Sequence, residues 1–555
     1  EFRILYELNR DTDKTIVYVC RDPFLVLPDI CNRAKVINLS LRDFFPFLDG
    51  TALNGLSFSV LNTLSGFKIY EPLGYNKTIK FLLENIYNVD FDTLKSGHGK
   101  ERLLNALITV FLERNGVNQS ITDFLSQQAR PFFPDLIEEG LIKNNLLRFI
   151  ESQWEKWINQ EDKNIDFDEF YLAKTVGYLF IKRHLHPLKV TKEKYESLSS
   201  KTGVYYDSKQ SLIDEFHTLI EYLGSTIIKI EDRPQEWYEI IQVISRAKIH
   251  PLKCKNQKLE DDFNQIEERI NDRFQLFLES NYDSLVTRSG SKHPFLVTRI
   301  MEYIRYQSHK KKALIVIDGL SFWQWMLIAD SLSQESFEIE SKATFAWIPT
   351  ITAWSRQTIF RGDLPVLDET NAFEEKHFTE YWKNLEYSKH QIGYKKFGVN
   401  KSIDTSDLAS YSILGLVVND LDDLMHGVLM GDEQLYLSTN QWIEKEVLSS
   451  IIKDLGKAGF KIYITTDHGN IEAQGIRNLK LSEKFGALSR SRRHIRFSNE
   501  TLKNDFLKNN PSLPVGAKDL SVYLKDKTAF VTEKERLITH GGSHFWEVII
   551  PFIEI

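Results

Sequence analysis

Four short apolar runs in the segment 311–555 constrain the fold of this chain more than any other feature. They are Ala313–Ile317, Ile413–Val418, Lys461–Thr465 and Val548–Ile553. Short runs rich in β-branched residues are typical of buried strands, and helical periodicity such as that of Asn440–Lys457 separates them. Strands that alternate with helices favour a mainly parallel sheet with helices on both faces. We therefore predict an α/β fold for 311–555.

The chain before this segment has a different pattern, so the sequence predicts three domains. A length of 555 residues exceeds what one hydrophobic core usually holds. Short β-branched runs at 15–20 and 34–39 predict a small α/β unit over 1–75. Helical periodicity predicts a helical domain or spacer over 76–310. Its clearest helices are Arg102–Arg114, Leu146–Ile158, Leu212–Leu223 and Asp261–Leu278.

The composition narrows the class of protein without identifying a ligand. Hydrophobic residues make up 42% of the chain, yet no apolar run approaches the roughly 20 residues that a membrane span needs. The three cysteines lack metal-ligand spacing, which favours a reducing interior and predicts a soluble, cytoplasmic protein with no membrane partner. The chain begins with Glu1, as expected of a trimmed start. A net charge of −7 gives no global attraction to nucleic acid.

Carboxylates and imidazoles stand where the apolar runs of 311–555 end. In open α/β sheets, ligands bind outside the carboxyl ends of the strands. These side chains are also the oxygen and nitrogen ligands that Zn²⁺ and Mn²⁺ take. The candidates are Asp318, Asp422, His426, Asp467, His468 and, before the last run, His540.

Each candidate has a structural alternative when it is considered singly. An Asp after a strand is more often a turn former, and solvated loop acids are the default interpretation of Asp420 and Asp423 beside Asp422. His540-Gly-Gly is also compatible with a simple glycine turn. An acid next to an imidazole at the end of a buried strand, as in Asp467-His468, is costly without a partner. Together the set favours metal binding.

A hydroxyl group in 349–356 is the candidate nucleophile. The segment Pro349-Thr-Ile-Thr-Ala-Trp-Ser-Arg356 predicts a loop that enters a helix, with Thr352 at the N-cap. A helix N-terminus favours anions, and a nearby divalent ion favours the alkoxide of Thr352. The alternatives are that Thr352 only caps the helix, or that Thr350 is the nucleophile.

The order and spacing of these motifs resemble the alkaline phosphatase superfamily. The segment His540-Gly-Gly-Ser-His-Phe-Trp-Glu547 and the loop Pro349–Gly362 are more narrowly similar to the PglZ domain of bacteriophage-exclusion (BREX) defence systems. The motif-bearing resemblance covers about 311–555, and Leu27-Pro28 and Asp43-Phe-Phe-Pro46 resemble the leading region of such proteins more vaguely.

This resemblance implies two divalent metal ions, zinc first and manganese as the alternative. One ion would be held by Asp318, Asp467, His468 and the Thr352 oxygen, and the other by Asp422, His426 and His540. It also implies that Thr352 attacks phosphorus and forms a phosphothreonine that water then hydrolyses.

Four further residues belong to the prediction. His544 follows His540 by four residues and is the alternative ligand. Arg356, one helical turn after Thr352, is a candidate for holding a substrate phosphate. Within the basic cluster Ser489–Arg496, Arg493 and His494 are candidates for the same role, although a solvated charged loop is the default.

The leading hypothesis is a metal-dependent phosphodiesterase or phosphatase of a BREX-type antiphage system. Its substrate would be a phosphoester, a nucleotide or nucleic acid among the candidates, and its partners other defence proteins. The alternative is a scaffold of a defence complex whose metals are structural, and a phosphomutase ranks third because nothing resembles its cap domain. The sequence leaves open the natural substrate, the metal and the oligomeric state, a homo-oligomer included.

Overall fold

The structure is a computed structural model. It describes residues 39–89, 99–113, 117–161, 164–198, 202–206, 209–231, 233–333, 335, 337–368, 373–397, 408–422, 431–480, 483–484 and 486–555. The strand predicted at 15–20 and nearly all of that at 34–39 lie outside these residues, as does His426.

The chain divides into two compact units, 1–178 and 179–555. The described part of the first unit is helical, and its amphipathic helices bury residues such as Leu82, Leu107 and Ile150. A π-helical turn, Thr109–Glu113, extends the fifth helix. The helices that begin in this unit are α1 (Leu41–Phe44), α2 (Gly50–Leu53), α3 (Phe58–Leu64), α4 (Tyr75–Asn85), α5 (Gly99–Ile108), α6 (Gln119–Ala129), α7 (Pro134–Glu139), α8 (Lys143–Ile158) and α9 (Phe170–Ile181).

The second unit begins with more helices and a small parallel pair of strands, β1 (Leu188–Lys189) and β2 (Val204–Tyr205). The helices predicted from periodicity in 76–310 are confirmed, although Arg114 lies outside the described residues. The helices here are α10 (Lys192–Ser197), α11 (Lys209–Ile227), α12 (Pro234–Cys254), α13 (Gln257–Thr287) and α14 (Ile300–Tyr306).

A six-stranded sheet forms the centre of the second unit. Its strands are β3 (Lys312–Ile317), β4 (Glu340–Phe345), β5 (Ile392–Phe397), β6 (Ile413–Val418), β7 (Lys461–Thr465) and β15 (Ile549–Glu554), in the order β4-β15-β7-β3-β6-β5. β3 pairs in parallel with both β6 and β7, whereas β15 runs antiparallel to β4 and β7. The prediction of a mainly parallel sheet is therefore confirmed.

The central strands are continuous apolar runs because both of their faces are covered. Every residue of β3, β6 and β15 is buried, as expected of strands inside an α/β fold. The helices that connect or follow the strands are α15 (Phe322–Ser333), α16 (Thr352–Arg361), α17 (Glu374–Lys383), α18 (Gly431–Glu444) and α19 (Val447–Lys457).

The single helix predicted over Asn440–Lys457 is wrong. The structure has two helices there, and the break falls at Glu446, whose φ of 54° lies in the left-handed region. A helix cannot continue through a residue in that conformation, so α19 starts afresh after it.

Two smaller sheets complete the unit. Their elements, with the two helices of this region, are β8 (Ile471–Gly475), β9 (Ala487–Arg490), β10 (His494–Phe497), α20 (Glu500–Asn509), β11 (Val515–Lys518), β12 (Ser521–Leu524), β13 (Thr528–Ala529), β14 (Arg536–Thr539) and α21 (Phe545–Val548). One sheet has the strand order β11-β12-β10-β9 and the other has the order β13-β8-β14. Ile495 and Val522 of the first sheet pack with Phe530 in a separate apolar cluster.

Within the described residues, none of the helices combines the length and the apolar character needed to cross a bilayer. The α/β class of 311–555 and the helical character of the preceding region are confirmed. The domain boundaries predicted at residues 75 and 310 stay predictions.

Candidate active site

Two carboxylates and an imidazole meet at the carboxyl ends of β3 and β7. Asp318 directly follows β3, and Asp467 and His468 follow β7, its parallel neighbour. The amide of Gly319 donates to Oδ1 of Asp467 over 3.2 Å, which joins the two strand ends. One ligand atom from each of Asp318, Asp467 and His468 lies within 4.8 Å of the others, and all three residues are buried.

Each carboxylate has one oxygen that is satisfied and one that is not. Oδ2 of Asp318 accepts from Arg356, and Oδ1 of Asp467 accepts from backbone amides. The other oxygens, Asp318 Oδ1 and Asp467 Oδ2, are buried without a hydrogen-bond partner in the described structure. They lie 3.9 and 3.7 Å from Nε2 of His468. Buried acceptors left in this state are costly unless a cation binds them.

The electrostatics of the pair agree with this geometry. Burial and the neighbouring Asp467 together raise the pKa of Asp318 to about 8, against the opposing effect of Arg356. Burial likewise raises the pKa of Asp467. The site therefore holds less negative charge than two carboxylates would carry in water, and a bound cation would restore both charges.

Thr352 opens the helix that faces this group. Its Oγ1 lies 2.9 Å from Nε2 of His468, and Thr352 is the first residue of α16. The N-cap is Ile351, so the prediction that Thr352 occupies the cap position is wrong by one residue. The hydroxyl still lies at the positive end of the helix dipole.

Thr350 is held differently from Thr352. It is fully buried, its hydroxyl donates to the carbonyl of Gly542 over 3.1 Å and it accepts from the amide of Gly541 over 3.0 Å. Because its hydroxyl already bonds the loop after His540, Thr350 serves to position that loop, and Thr352 is the better placed of the two for a reaction.

His468 and His540 stack with their ring centroids 3.8 Å apart and their planes 10° from parallel. Nδ1 of His540 contacts the carbonyl of Thr350 over 2.8 Å, and Nδ1 of His468 contacts the carbonyl of Gly469 over 2.9 Å. A carbonyl only accepts, so both Nδ1 atoms carry the proton and both Nε2 atoms keep a lone pair. Hydrogen bonds from Nδ1 to backbone carbonyls typically orient the imidazole ligands of a metal ion.

The pKa values of both imidazoles support the neutral state. Burial lowers the pKa of His540 to about 4, with a further contribution from His468. Burial also lowers the pKa of His468. Neutral imidazole is the form that binds a metal ion.

His544 and Asp422 lie in different surroundings. Nδ1 of His544 accepts from the amide of Trp546 over 3.3 Å, so His544 caps α21 and its ring lies against Phe545. Asp422 is half-buried and close enough to Asp318 to raise the pKa of that carboxyl. His426 lies outside the described residues. The geometry thus supports His540 over His544, and Asp422 approaches the group.

Arg356 lies in the site, paired with acids of the chain itself. Its guanidinium donates to Asp318 Oδ2 over 2.6 Å and to Glu374 Oε1 over 2.7 Å. Burial alone would lower the pKa of Arg356, but these acids outweigh it and raise that pKa. Arg356 is therefore a fixed positive charge at the rear of Asp318.

Arg493 and His494 are buried away from solvent. Arg493 donates to both oxygens of Glu547, over 3.2 and 3.0 Å, and Nε2 of His494 lies 3.1 Å from Ser521 Oγ. The phosphate-binding role expected of them stays a prediction, while their contacts favour structural roles.

Glu547 is a site residue that sequence reasoning did not single out. Its Oε1 accepts a hydrogen bond from the amide of Gly542 over 2.9 Å and another from Nε of Arg493. It therefore fixes the loop that follows His540. The available signal was its position three residues after His544, the spacing of a capping box.

The sheet and the acid-imidazole group at its strand ends lie in the part of the chain that matches a known family. Residues 295–555 match the family described as the BREX system PglZ alkaline phosphatase-like domain. The resemblance to the PglZ domain that the sequence predicted is confirmed for these residues.

Solved structures that resemble the chain cover less than half of it. Human ectonucleotide pyrophosphatase/phosphodiesterase 5 is 14% identical, with a TM-score of 0.32, over 44% of this chain and 87% of its own. Phosphonoacetate hydrolase from Sinorhizobium meliloti is 11% identical, with a TM-score of 0.33, over 44% of this chain and 90% of its own. No curated protein matches the sequence.

Proposed function

We propose that this chain is a metal-dependent phosphoric ester hydrolase that prefers phosphodiesters and uses Thr352 as its nucleophile. One observation supports this more than any other. The Thr352 hydroxyl lies 2.9 Å from Nε2 of His468, beside two buried carboxylates that each have an oxygen without a partner in the described structure. A hydroxyl, a helix N-terminus and a cation-binding group then converge on one point.

The residues fit a divalent cation. Asp318, Asp467, His468 and the Thr352 oxygen would hold one ion, and Asp422, His426 and His540 the other. Carboxylate oxygens with imidazole nitrogens suit zinc, and manganese is the alternative. When bound, such ions stabilise negative charge on the attacking and leaving oxygens of a phosphoryl transfer.

The chain's own groups account for the remaining chemistry. Oγ of Thr352 forms a bond to phosphorus while the bond to the leaving ester oxygen breaks, which gives a phosphothreonine that water hydrolyses. Glu547 and Thr350 keep the His540 loop in place through their bonds to Gly542. Arg356 keeps Asp318 oriented, with its Oδ1 left for a ligand.

The PglZ match supports a biological setting for this activity. The family's description refers to the BREX system, so we infer that the chain acts in bacterial antiphage defence with other proteins of such a system. Its substrates in that setting would be nucleotides or nucleic acid.

The proposal is tested by hydrolysis of a chromogenic phosphodiester with added Zn²⁺ or Mn²⁺. Thr352→Ala should lower kcat by at least about 100-fold, because it removes the nucleophile. Thr501→Ala is the matched control, since Thr501 is exposed on α20. Equal turnover by Thr352→Ala and the unsubstituted chain would refute this route.

One contact favours the second candidate, a scaffold whose site is structural. Arg356 already neutralises Asp318 within the protein, as a purely structural acid would require. If a chelator left diester hydrolysis unchanged but disrupted assembly with partner proteins, the scaffold would be the better account.

A further inference from the structure

A cavity of about 810 Å³ lies within the segment 179–555. It is bounded by the end of α9, by β1 and β2, and by one face each of α11, α12 and α15. None of the residues around Asp318 that form the candidate active site lines it. Its volume is in the range of sites that enclose a small organic ligand.

Two exposed cationic side chains line the cavity. They are Arg183 and Lys253, and the exposed lining also includes His186 and one acid, Asp330. The half-buried acid Asp214 accepts from the Tyr195 hydroxyl over 2.9 Å and from Gln210 over 2.8 Å. A phosphate that contacts Arg183 and Lys253 gains charge-assisted hydrogen bonds there.

The floor of the cavity holds a polar cluster in which Arg246 and His250 are buried and Glu215 is partly exposed. Arg246 donates to Glu215 and to the carbonyl of Ile181, and Nε2 of His250 lies 3.1 Å from Glu215. Nε of Arg246, a residue only 6% exposed, has no partner in the part of the chain that the structure describes. A buried donor in this state is satisfied when a ligand brings an acceptor.

The inner walls are apolar and aromatic. Phe180, Val204, Leu219 and Ile249 are buried there. Tyr195 contributes a further ring, whose centroid lies 4.7 Å from that of Tyr206. Such walls suit a flat ring, because aromatic faces stack on planar groups.

We propose that this cavity binds a nucleotide, with its base against the inner walls and its phosphate at the rim, at Arg183 and Lys253. A base brings ring acceptors that match Arg246 and a planar face that matches the tyrosines. A phosphate brings the charge that Arg183 and Lys253 complement. Free phosphate leaves the floor unused, and a nucleoside leaves the rim unused, so the two halves of the cavity together select a nucleotide.

The same helices connect the cavity with the candidate active site. α15 carries Met326 and Asp330 at the cavity and begins at Phe322, shortly after Asp318. α12 carries Arg246 and also Lys248, whose Nζ lies 2.7 Å from Asp432 in the first turn of α18.

Calorimetric titration of the full chain in a chelating buffer tests the proposal, with adenosine monophosphate, adenosine and inorganic phosphate as probes. The double variant Arg183→Ala/Lys253→Ala should weaken the binding of the nucleotide by about tenfold or more and leave that of adenosine unchanged. Both residues are exposed, so folding should be preserved. Lys445→Ala/Lys457→Ala is the matched control, because Lys445 lies in the turn between α18 and α19, Lys457 ends α19 and both are exposed.

Three results would overturn the nucleotide site. One is the absence of any heat with the nucleotide, and another is an affinity for inorganic phosphate equal to that for the nucleotide. The third is loss of nucleotide binding in Asp467→Asn, which would assign the binding to the catalytic group. Nucleotide binding that persists in a chain without diesterase activity would speak against the proposed function alone.

Discussion

At the scale of single residues, the site depends on which polar atoms already have a partner. The backbone amides of Gly319 and His468 donate to Oδ1 of Asp467, and Arg356 donates to Oδ2 of Asp318. Each acid is thereby oriented, and its second oxygen is directed toward His468. The nitrogen atoms follow the same rule, since backbone carbonyls fix Nδ1 of both stacked imidazoles. The site thus presents a set of oriented oxygen and nitrogen lone pairs of the kind that bind a divalent cation.

His494 gives a prediction about pH and stability. Burial lowers its pKa to about 3 in the folded chain, with help from Arg496, whereas the unfolded value is near 6.5. Between these two pH values the unfolded chain binds more protons than the folded chain. The contribution of His494 to the stability of the folded chain is therefore fully present above about pH 6.5 and is lost as the pH falls toward 3. The free energy of unfolding should fall by about 2 kcal/mol between pH 7.5 and pH 5 from this residue alone.

Denaturant titrations at the two pH values check this contribution. His494→Gln should show a pH dependence smaller by that amount, because glutamine has no proton to gain. An identical pH dependence in both chains would show that His494 is not held neutral by burial.

Sequence reasoning works at this scale for residues that follow strands. Asp318 and Asp467 are brought together because β3 and β7 are parallel neighbours whose carboxyl ends meet at one edge of the sheet. Glu547 was missed because its partners, Gly542 and Arg493, are selected by tertiary packing. No local sequence pattern distinguishes a glutamate that caps a helix from one that also holds a loop such as the one after His540.

At the scale of elements, two glycine positions differ in how closely another chain segment approaches. A Cβ at Gly469, next to His468, would lie 2.0 Å from the carbonyl oxygen of Trp546. A Cβ at Gly456, in α19, would meet nothing within 4 Å. The turn after β7 therefore requires glycine because α21 packs directly on it.

We expect opposite effects from the same substitution at these two positions. Gly469→Ala should destabilise the chain by several kcal/mol and reduce hydrolysis, because the turn that carries His468 must move. Gly456→Ala should be neutral or stabilise by up to about 1 kcal/mol, since alanine favours the helix. Thermal unfolding of both variants measures the difference, and equal melting temperatures would contradict the packing described.

Helix α13 lies before the PglZ match and yet holds the loop that ends the site. Nε2 of Gln275 donates to the carbonyl of Ser543 over 2.8 Å, and Ser543 Oγ donates back over 2.9 Å. Glu267 on the same helix accepts from the indole of Trp546 over 2.6 Å. A segment predicted to be a helical domain or spacer thus holds the loop that follows His540.

Gln275→Ala should lower the free energy of unfolding by about 1–3 kcal/mol, because it leaves the buried groups of Ser543 without partners. The matched control is Gln257→Ala near the start of α13, where the side chain is exposed and the effect should stay within about 0.5 kcal/mol. Chemical denaturation measures both. A Gln275→Ala chain as stable as the control would show that the helix does not support the loop.

Four of the six strands of the sheet were predictable to within a residue or two, but β4, β5 and the contacts with α13 were not. The four apolar runs match β3, β6, β7 and β15 because strands buried on both faces must be apolar throughout. The position of α13 depends on contacts between residues more than 250 positions apart, such as Gln275 with Ser543. Periodicity identifies such a helix without showing what it packs against.

At the scale of the whole molecule, the buried acids predict that a bound cation raises the stability of the fold. Burial raises the pKa values of Asp318 and Asp467, which shows that the folded chain resists their charging without a counter-ion. A divalent ion that binds only the folded state should stabilise it by about 2.7 kcal/mol at a free concentration 100 times its Kd.

Thermal unfolding with and without Zn²⁺ tests this linkage. The chain freed of metal should melt at a lower temperature, and Zn²⁺ should raise that temperature. Asp467→Asn should lose most of this response, whereas Asp505→Asn, at an exposed position of α20, should keep it. An equal response in the two variants would mean that zinc acts elsewhere on the protein.

The most direct test is a crystal structure of the zinc-loaded, hydrolytically active chain, with anomalous scattering used to locate the metal. We predict an anomalous peak at about 2.0–2.2 Å from a ligand atom of each of Asp318, Asp467 and His468. A chain with full activity whose metals all lie away from these three residues would contradict this prediction.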